Sequence, residues 1–408
     1  MVDSSVQYRK YGFSFSQCMT KVWISFIIIC SGVVDGFSVQ SSSSSSSPLS
    51  DSYFRVATKI PEDVAKKPLP SFTLAGKIET AIVEKFGAKG TKRVLESLRW
   101  LENDYEHCQF MGEEKKEEIS KEESNCWQYA NSYIRDLTCT PFWDVSKFDW
   151  AESLQSYYPE IKKEFTHVMN NQESLKQRGN NIWAGALTEE AGSYGTGWKT
   201  LVLLDKGIWD STNCNLFPQT AKAVQASGIP ATEVFFASMQ PKSDIKLHSD
   251  FANFVLTCHL AIDIPNNGQN KCRLTIGDTT KKWINGDVLL FDTSLMHDAI
   301  NEADQTRYIL MFRIWHPDLT TIETQALQYI WDCLAMPNLL SDNLGDKFMA
   351  EQRAATLKSF PTITTTTTNN NNNNDHQQGF GGGTKKSKQK NKKSKMKSKG
   401  GKSKGFGA

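Results

Sequence analysis

No two cysteines in this 408-residue sequence are spaced Cys-x-x-Cys, which argues against a zinc ribbon or a thioredoxin-type dithiol. The nine cysteines are too few and too scattered for a disulfide framework. Two of them, Cys18 and Cys30, precede the folded region, and the other seven read as buried thiols. Asn-x-Ser/Thr sequons are absent, which disfavours a heavily glycosylated exported product. The apolar run from Val22 to Val34 holds thirteen residues, well short of the ~20 that cross a bilayer. A true excess of one charge is missing as well. The formal net charge of +2 includes eleven lysines between Lys385 and Lys404, and without them 36 basic residues face 45 acidic ones, a net of −9. A mildly acidic body with a basic tail argues against a core built to bind nucleic acid, and no specific nucleic acid is expected as a partner.

What is present divides the chain into six stretches. Residues 1–36 carry Arg9, Lys10 and Lys21 ahead of the short apolar run, the pattern of a signal peptide, with a signal anchor as the alternative. Residues 37–71, with serines from Ser41 to Ser47, read as a disordered linker. Entry to the secretory pathway, into the endoplasmic reticulum lumen or its membrane, is the expected location. Phe37 followed by a serine-rich, acid-poor stretch is also similar to the two-part presequences of algal complex plastids. Residues 72–135 are expected to be a helical extension, because Ile78, Ala81, Ile82 and Phe86 recur at helical spacing and Val94, Leu95, Leu98 and Leu101 continue it. The charged run Glu113–Glu123 reads as a solvated helix or loop.

Residues 136–320 are rich in short apolar runs. Val234–Ala237, Phe254–Ile262, Cys272–Ile276, Val288–Phe291 and Tyr308–Phe312 are separated by turn signals such as Gly277-Asp278 and Asn285-Gly286-Asp287. This spacing predicts a mainly β fold, a double-stranded β-helix (jelly roll) core with flanking α-helices. Residues 321–358 return to helix, with Ile322, Ala326, Ile330 and Leu334 four apart. Residues 359–408, Thr/Asn/Gly-rich and then Lys-rich, cannot bury enough apolar surface to fold. That tail either solubilises the chain or tethers it weakly to an acidic partner.

Within the strand-rich stretch, Lys246-Leu247-His248-Ser249-Asp250 sets a histidine and a carboxylate two apart. On an extended strand both point to one face while Ser249 points away. A distant His297 adds a third ligand. Two imidazoles and one carboxylate with open positions suit non-haem Fe(II), and leave room for a cosubstrate and dioxygen. Zinc accepts the same ligands, so a zinc-dependent hydrolase on a cupin-like barrel competes, as does a non-catalytic jelly-roll binding protein. Arg307 favours iron, because its guanidinium fork can anchor the carboxylate of a dicarboxylate cosubstrate, which hydrolysis does not need.

The segment from Phe142 to Pro317 resembles the aspartyl/asparaginyl β-hydroxylase family of Fe(II)/2-oxoglutarate dioxygenases. The matching pieces include Phe142-Trp143-Asp144, Phe217-Pro218-Gln219-Thr220, Met239-Gln240-Pro241, Cys258-His259-Leu260, Trp283, Phe291-Asp292-Thr293-Ser294 and Trp315-His316-Pro317. The resemblance implies that His248 and His297 hold iron, with Asp250 as the third ligand read from the residues, that Arg307 anchors 2-oxoglutarate and that His259 contacts it. It implies hydroxylation of a carbon in a protein, lipid or small-molecule substrate. Three departures bear on the substrate. Asp250 stands where the peptide-hydroxylating branch has a glycine, and is shared with the lipid A 2-hydroxylase branch. Val255 and Thr257 stand where the peptide branch carries arginines, and Asp298 replaces a glutamate.

Overall fold

The computed structural model describes residues 56–112, 124–171, 183–185, 197–266, 269–340 and 347–353. The presequence, the serine run, the acidic run at 113–123 and the tail lie outside the described residues. All described residues fall within one compact unit.

Two antiparallel sheets form the centre. The larger contains strands β3 (Ala184–Gly185), β4 (Trp198–Asp205), β6 (Ala231–Met239), β8 (Val255–Asp263), β11 (Val288–Phe291) and β13 (Arg307–Trp315), in the order β11-β8-β13-β6-β4-β3, with β5 (Ile208–Trp209) paired to β4. The smaller contains β7 (Ser243–His248), β9 (Cys272–Ile276), β10 (Thr279–Lys282) and β12 (His297–Asn301), in the order β10-β9-β12-β7. From β6 to β13 the chain passes back and forth between the sheets, with only the β9–β10 hairpin staying within one, which is the jelly-roll arrangement the sequence spacing predicts. Each sheet is covered on its inner face by the other, and the larger is covered outside by helices.

The period-2 alternation of a strand assigns the side chains. On β13, Arg307, Ile309, Met311 and Arg313 take one parity, while Tyr308, Leu310, Phe312 and Ile314 take the other. Leu310, Phe312 and Ile314 pack with Leu154, Ile161, Phe165 and Phe217 from helices Asp149–Ser156, Tyr158–Asn170 and the start of Pro218–Ser227. Ile309 and Met311 instead join Phe235, Phe291 and Trp283 between the sheets. A strand buried on both faces reads as a near-continuous apolar run, which is why β8 did. Each such fully buried large apolar side chain contributes about 1.5–3 kcal/mol.

Two glycine turns fix the register around the site. Gly277, at φ +56°, begins the two-residue loop between Ile276 and its partner Thr279, a left-handed conformation that a β-carbon would strain. Gly286, at φ +87°, turns the chain into β11.

The helical reading of residues 72–135 needs correcting. Helices Leu74–Phe86 and Lys92–Glu102 do form, and bury Ile78, Ile82, Val94, Leu95, Leu98 and Leu101. They are followed by an antiparallel pair, β1 (His107–Phe110) and β2 (Trp127–Ala130). The second of these runs along the loop before β12, where Tyr129 N donates to Ser294 O at 2.8 Å and Met296 N donates to Trp127 O at 3.0 Å. Strands of four residues carry too little alternation to stand out beside two strongly periodic helices.

Helix Thr321–Ala335 begins with a capping box between Thr320 and Glu323. It packs on the first two helices and is pinned to them by Arg93, whose Nε and Nη2 donate to Glu323 at 2.7 and 2.8 Å. Among the described residues, no helix is long and apolar enough to cross a membrane.

Candidate metal and anion site

His248 closes β7 and His297 opens β12, and the two residues are directly paired across these adjacent strands. Their ring centroids lie 4.2 Å apart. Asp250 sits beyond the end of β7, not on the strand the sequence suggested. The chain turns there through Phe251 at φ +59°, and Asp250 N donates to Thr293 O at 2.9 Å. The carboxylate nevertheless returns to the imidazoles, its Oδ1 lying 3.5 Å from His248 Nε2 and 4.0 Å from His297 Nε2. Among the described residues these three offer ligand atoms within 4.8 Å of one another. Ser249 points away and donates to Tyr129 O at 2.8 Å.

Hydrogen bonding selects the tautomer of both rings. His248 Nδ1 is 2.7 Å from Lys246 O, and His297 Nδ1 is 2.9 Å from Leu295 O. A carbonyl only accepts, so each Nδ1 carries the proton and each Nε2 presents a lone pair towards Asp250. Burial and then neighbouring His248 push the His297 pKa down to about 3, so its ring stays neutral through the physiological range. Burial opposes the charged form of Asp250, but the Arg313 guanidinium outweighs it and holds the carboxyl well below its ordinary value.

Arg313 is the functional residue that sequence reasoning missed. Its Nη1 donates to Asp250 Oδ2 at 2.5 Å and to Thr257 Oγ1 at 2.9 Å, and lies 3.4 Å from Thr293 Oγ1. It therefore occupies one carboxylate oxygen and leaves Oδ1 for the metal side. Arg313 stands directly opposite Thr257 in the pairing of β13 with β8. A signal existed, since Arg313 lies six residues after Arg307 and shares its parity on the strand.

Arg307 and His259 form a second group. Arg307 is 1% exposed, yet its Nε and Nη1 have no partner among the described residues. Its Nη2 donates to Met239 Sδ at 3.1 Å, and its guanidinium lies 4.3 Å above the Trp283 ring. His259 Nε2 is likewise buried without a partner, while Nδ1 accepts from Trp283 Nε1 at 3.2 Å. Burial lowers the Arg307 pKa to about 10, where it still carries its charge at neutral pH. Burial, then the Arg307 guanidinium, with Arg313 as a further cation, depress the His259 pKa, which puts the two groups in one electrostatic field. Three buried donors without partners are costly unless an acceptor meets them, and an anionic carboxylate is the acceptor they suit. The donor set beside them, two imidazole lone pairs and one carboxylate oxygen, fits a divalent transition metal. Iron and a 2-oxo dicarboxylate thus both fit the residues present.

The fold and these groups define a jelly-roll protein with a two-histidine, one-carboxylate cluster beside a buried arginine. Residues 155–317 match the family model described as Aspartyl/Asparaginyl beta-hydroxylase, so this segment is similar to that family. Human aspartyl/asparaginyl beta-hydroxylase is 26% identical over 214 residues, covering 51% of this chain and 27% of that protein. The ornithine lipid ester-linked acyl 2-hydroxylase of Rhizobium tropici is 31% identical over 171 residues, covering 42% of this chain and 58% of its own. Human aspartate beta-hydroxylase domain-containing protein 2 is 27% identical over 209 residues, covering 49% and 53%. The chain thus spans between about a quarter and three-fifths of the length of these relatives. A solved 2OG-Fe(II) oxygenase family protein from Burkholderia pseudomallei shares 13% identity over 30% of this chain and 69% of its own, at a TM-score of 0.22. The fold assignment rests on the strand order and not on that superposition.

Proposed function

We propose that the jelly roll is an Fe(II)- and 2-oxoglutarate-dependent hydroxylase. His248 Nε2, Asp250 Oδ1 and His297 Nε2 are its metal ligands, and Arg307 with His259 grips the far carboxylate of the cosubstrate. When bound, iron and 2-oxoglutarate supply the oxidation of an aliphatic carbon by dioxygen, with release of succinate and carbon dioxide. The protein's own part is positional. The Nδ1 bonds to Lys246 and Leu295 aim the imidazoles, Arg313 turns Asp250 so that one oxygen is offered, and the buried arginine orients the cosubstrate.

The observation that carries this reading is the coexistence of the cluster with the partnerless buried donors of Arg307 and His259. A hydrolytic zinc centre needs the first and has no use for the second. The substrate is a carbon of a lipid, a peptide or a small molecule. Asp250 and the absence of arginines at 255 and 257 favour an acyl chain, in keeping with the name of the Rhizobium relative, over an acidic peptide side chain. In the same proposal the presequence brings the chain into the secretory pathway and the lysine tail holds a weak acidic partner.

The test is succinate production by the full chain with Fe(II), ascorbate and 2-oxoglutarate, with 2-hydroxyacyl lipids and hydroxylated peptides read by mass spectrometry. Succinate that requires Fe(II) and disappears in His297→Ala supports the reading. Zinc-dependent hydrolysis of esters without succinate overturns it.

A further inference from the structure

We infer that Trp283 is a positioning residue for the cosubstrate: its indole N–H fixes the tautomer of His259, and its ring is the platform on which Arg307 lies. The inference rests on the proposed role of this pocket, and it adds a residue that holds both anion donors at once.

The argument begins with the chemistry of three side chains. An indole N–H donates and cannot accept. Trp283 Nε1 donates to His259 Nδ1 at 3.2 Å, so that nitrogen must be the unprotonated one. The proton of the neutral ring is therefore on Nε2, which is buried and meets no acceptor among the described residues. A doubly protonated ring would set two donors against each other at Nδ1, so the contact also excludes the imidazolium. The edge of Phe291 closes the other approach, with ring centroids 4.7 Å apart and planes at 85°. His259 is thus held as a neutral donor whose N–H is available to an anion.

The same indole serves Arg307. The guanidinium carbon lies 4.3 Å from the ring centroid, the stacked placement in which a weakly hydrated cation is favoured without using its N–H groups. Nε and Nη1 consequently remain for a ligand, while Nη2 is taken by Met239 Sδ at 3.1 Å. Trp283 is fully buried, and its backbone oxygen accepts from Asn270 Nδ2 at 2.5 Å, so the indole is fixed from its own main chain. One rigid residue therefore orders three donors from two adjacent strands.

Without the indole N–H, His259 can place its proton on Nδ1. Nε2 would then present a lone pair to the carboxylate and repel it. The cost falls on binding of the cosubstrate and not on the metal ligands.

The experiment replaces Trp283 with 3-benzothienylalanine, which exchanges the N–H for sulfur and keeps the ring, and compares it with Trp283→Leu, which removes both. In the full chain, long-range proton–nitrogen NMR reads the His259 tautomer. Succinate titration and the KM and kcat for 2-oxoglutarate read the site. The wild type is expected to hold His259 with its proton on Nε2. The sulfur variant should show a mixed tautomer and weaker succinate binding. Its KM should rise about tenfold, with kcat within twofold. Trp283→Leu should raise KM further, because Arg307 also loses its platform. A sulfur variant whose tautomer and KM match the wild type overturns the inference. Failure of the functional reading is recognised separately, as a wild type that binds neither succinate nor 2-oxoglutarate while its His259 tautomer is still as described.

Discussion

Replacing Arg313 with methionine removes the guanidinium that holds Asp250 and leaves a carboxylate that is 5% exposed facing the two imidazoles. Breaking a buried ion pair from one side costs about 3–5 kcal/mol, because the remaining charge keeps its desolvation penalty. The hydroxyls of Thr257 and Thr293 also lose a charged donor. For a folded unit of this size each kcal/mol moves the melting temperature by roughly 2 °C, so Arg313→Met should melt about 6–10 °C below the wild type in EDTA. Two further measurements separate the mechanism from general damage. Asp250→Asn combined with Arg313→Met should recover at least about 2 kcal/mol of the loss, because the unpaired charge is gone. Saturation with Mn(II) at a hundred times its Kd adds about 2.7 kcal/mol to any chain that still binds it, so the metal should offset roughly half to nine-tenths of the single variant's deficit relative to the metal-free wild type. Differential scanning calorimetry with EDTA and with Mn(II) measures all of these. An Arg313→Met chain that melts within 2 °C of the wild type in EDTA would refute the claim that this pair is the support of Asp250.

Asp250→Ala removes the one carboxylate of the cluster, and Mn(II) affinity read by calorimetry should fall beyond the ~10–100-fold typical of losing an outer partner; unchanged affinity removes Asp250 from the proposed ligand set. Arg307→Met should raise the KM for 2-oxoglutarate roughly a hundredfold with Mn(II) affinity intact, since two charge-assisted bonds are lost away from the metal; a parallel loss of Mn(II) would contradict the division into two groups. Acid should destabilise the metal-free chain. Burial holds the pKa of His297 near 3 and that of His107 near 4, so between pH 7 and 5 the unfolded chain takes up protons at both while the native chain does not. Each costs about 2 kcal/mol at pH 5. Burial raises Asp292 to about 6, and its native form binds a proton that the unfolded form does not, which returns about 1 kcal/mol over the same range. Urea midpoints in EDTA should therefore fall from pH 7 to pH 5, and a flat or rising profile would speak against neutral buried histidines.

The jelly roll was legible because its strands follow physical rules that act along the chain. β8 and β13 are buried on both faces and read as apolar runs, while Gly277-Asp278 marks the β9–β10 turn and Asn285-Gly286 the entry to β11. His248, Asp250, His297 and Arg307 were legible as residue types at plausible spacing. What could not be read was the backbone between them. Asp250 reaches the imidazoles through a left-handed turn at Phe251 and not through strand alternation, a geometry with no glycine to announce it. Arg313 is 63 residues from the carboxylate it holds, and only sheet register brings the two together. The tautomer of His259 depends on an indole 24 residues further along. The β1–β2 pair escaped notice because its strands are four residues long and their partner is a loop of the barrel.

The central claim is that one pocket holds both a metal and a dicarboxylate for oxidation. The most direct measurement follows 2-oxoglutarate and succinate by NMR in a reaction of the full chain with Fe(II), oxygen and ascorbate, beside His297→Ala and Arg307→Met. Stoichiometric conversion of 2-oxoglutarate to succinate that needs Fe(II), vanishes in His297→Ala and demands far more cosubstrate in Arg307→Met is the predicted result. Conversion at the same rate in all three chains, or none in the wild type with any lipid or peptide offered, would contradict it.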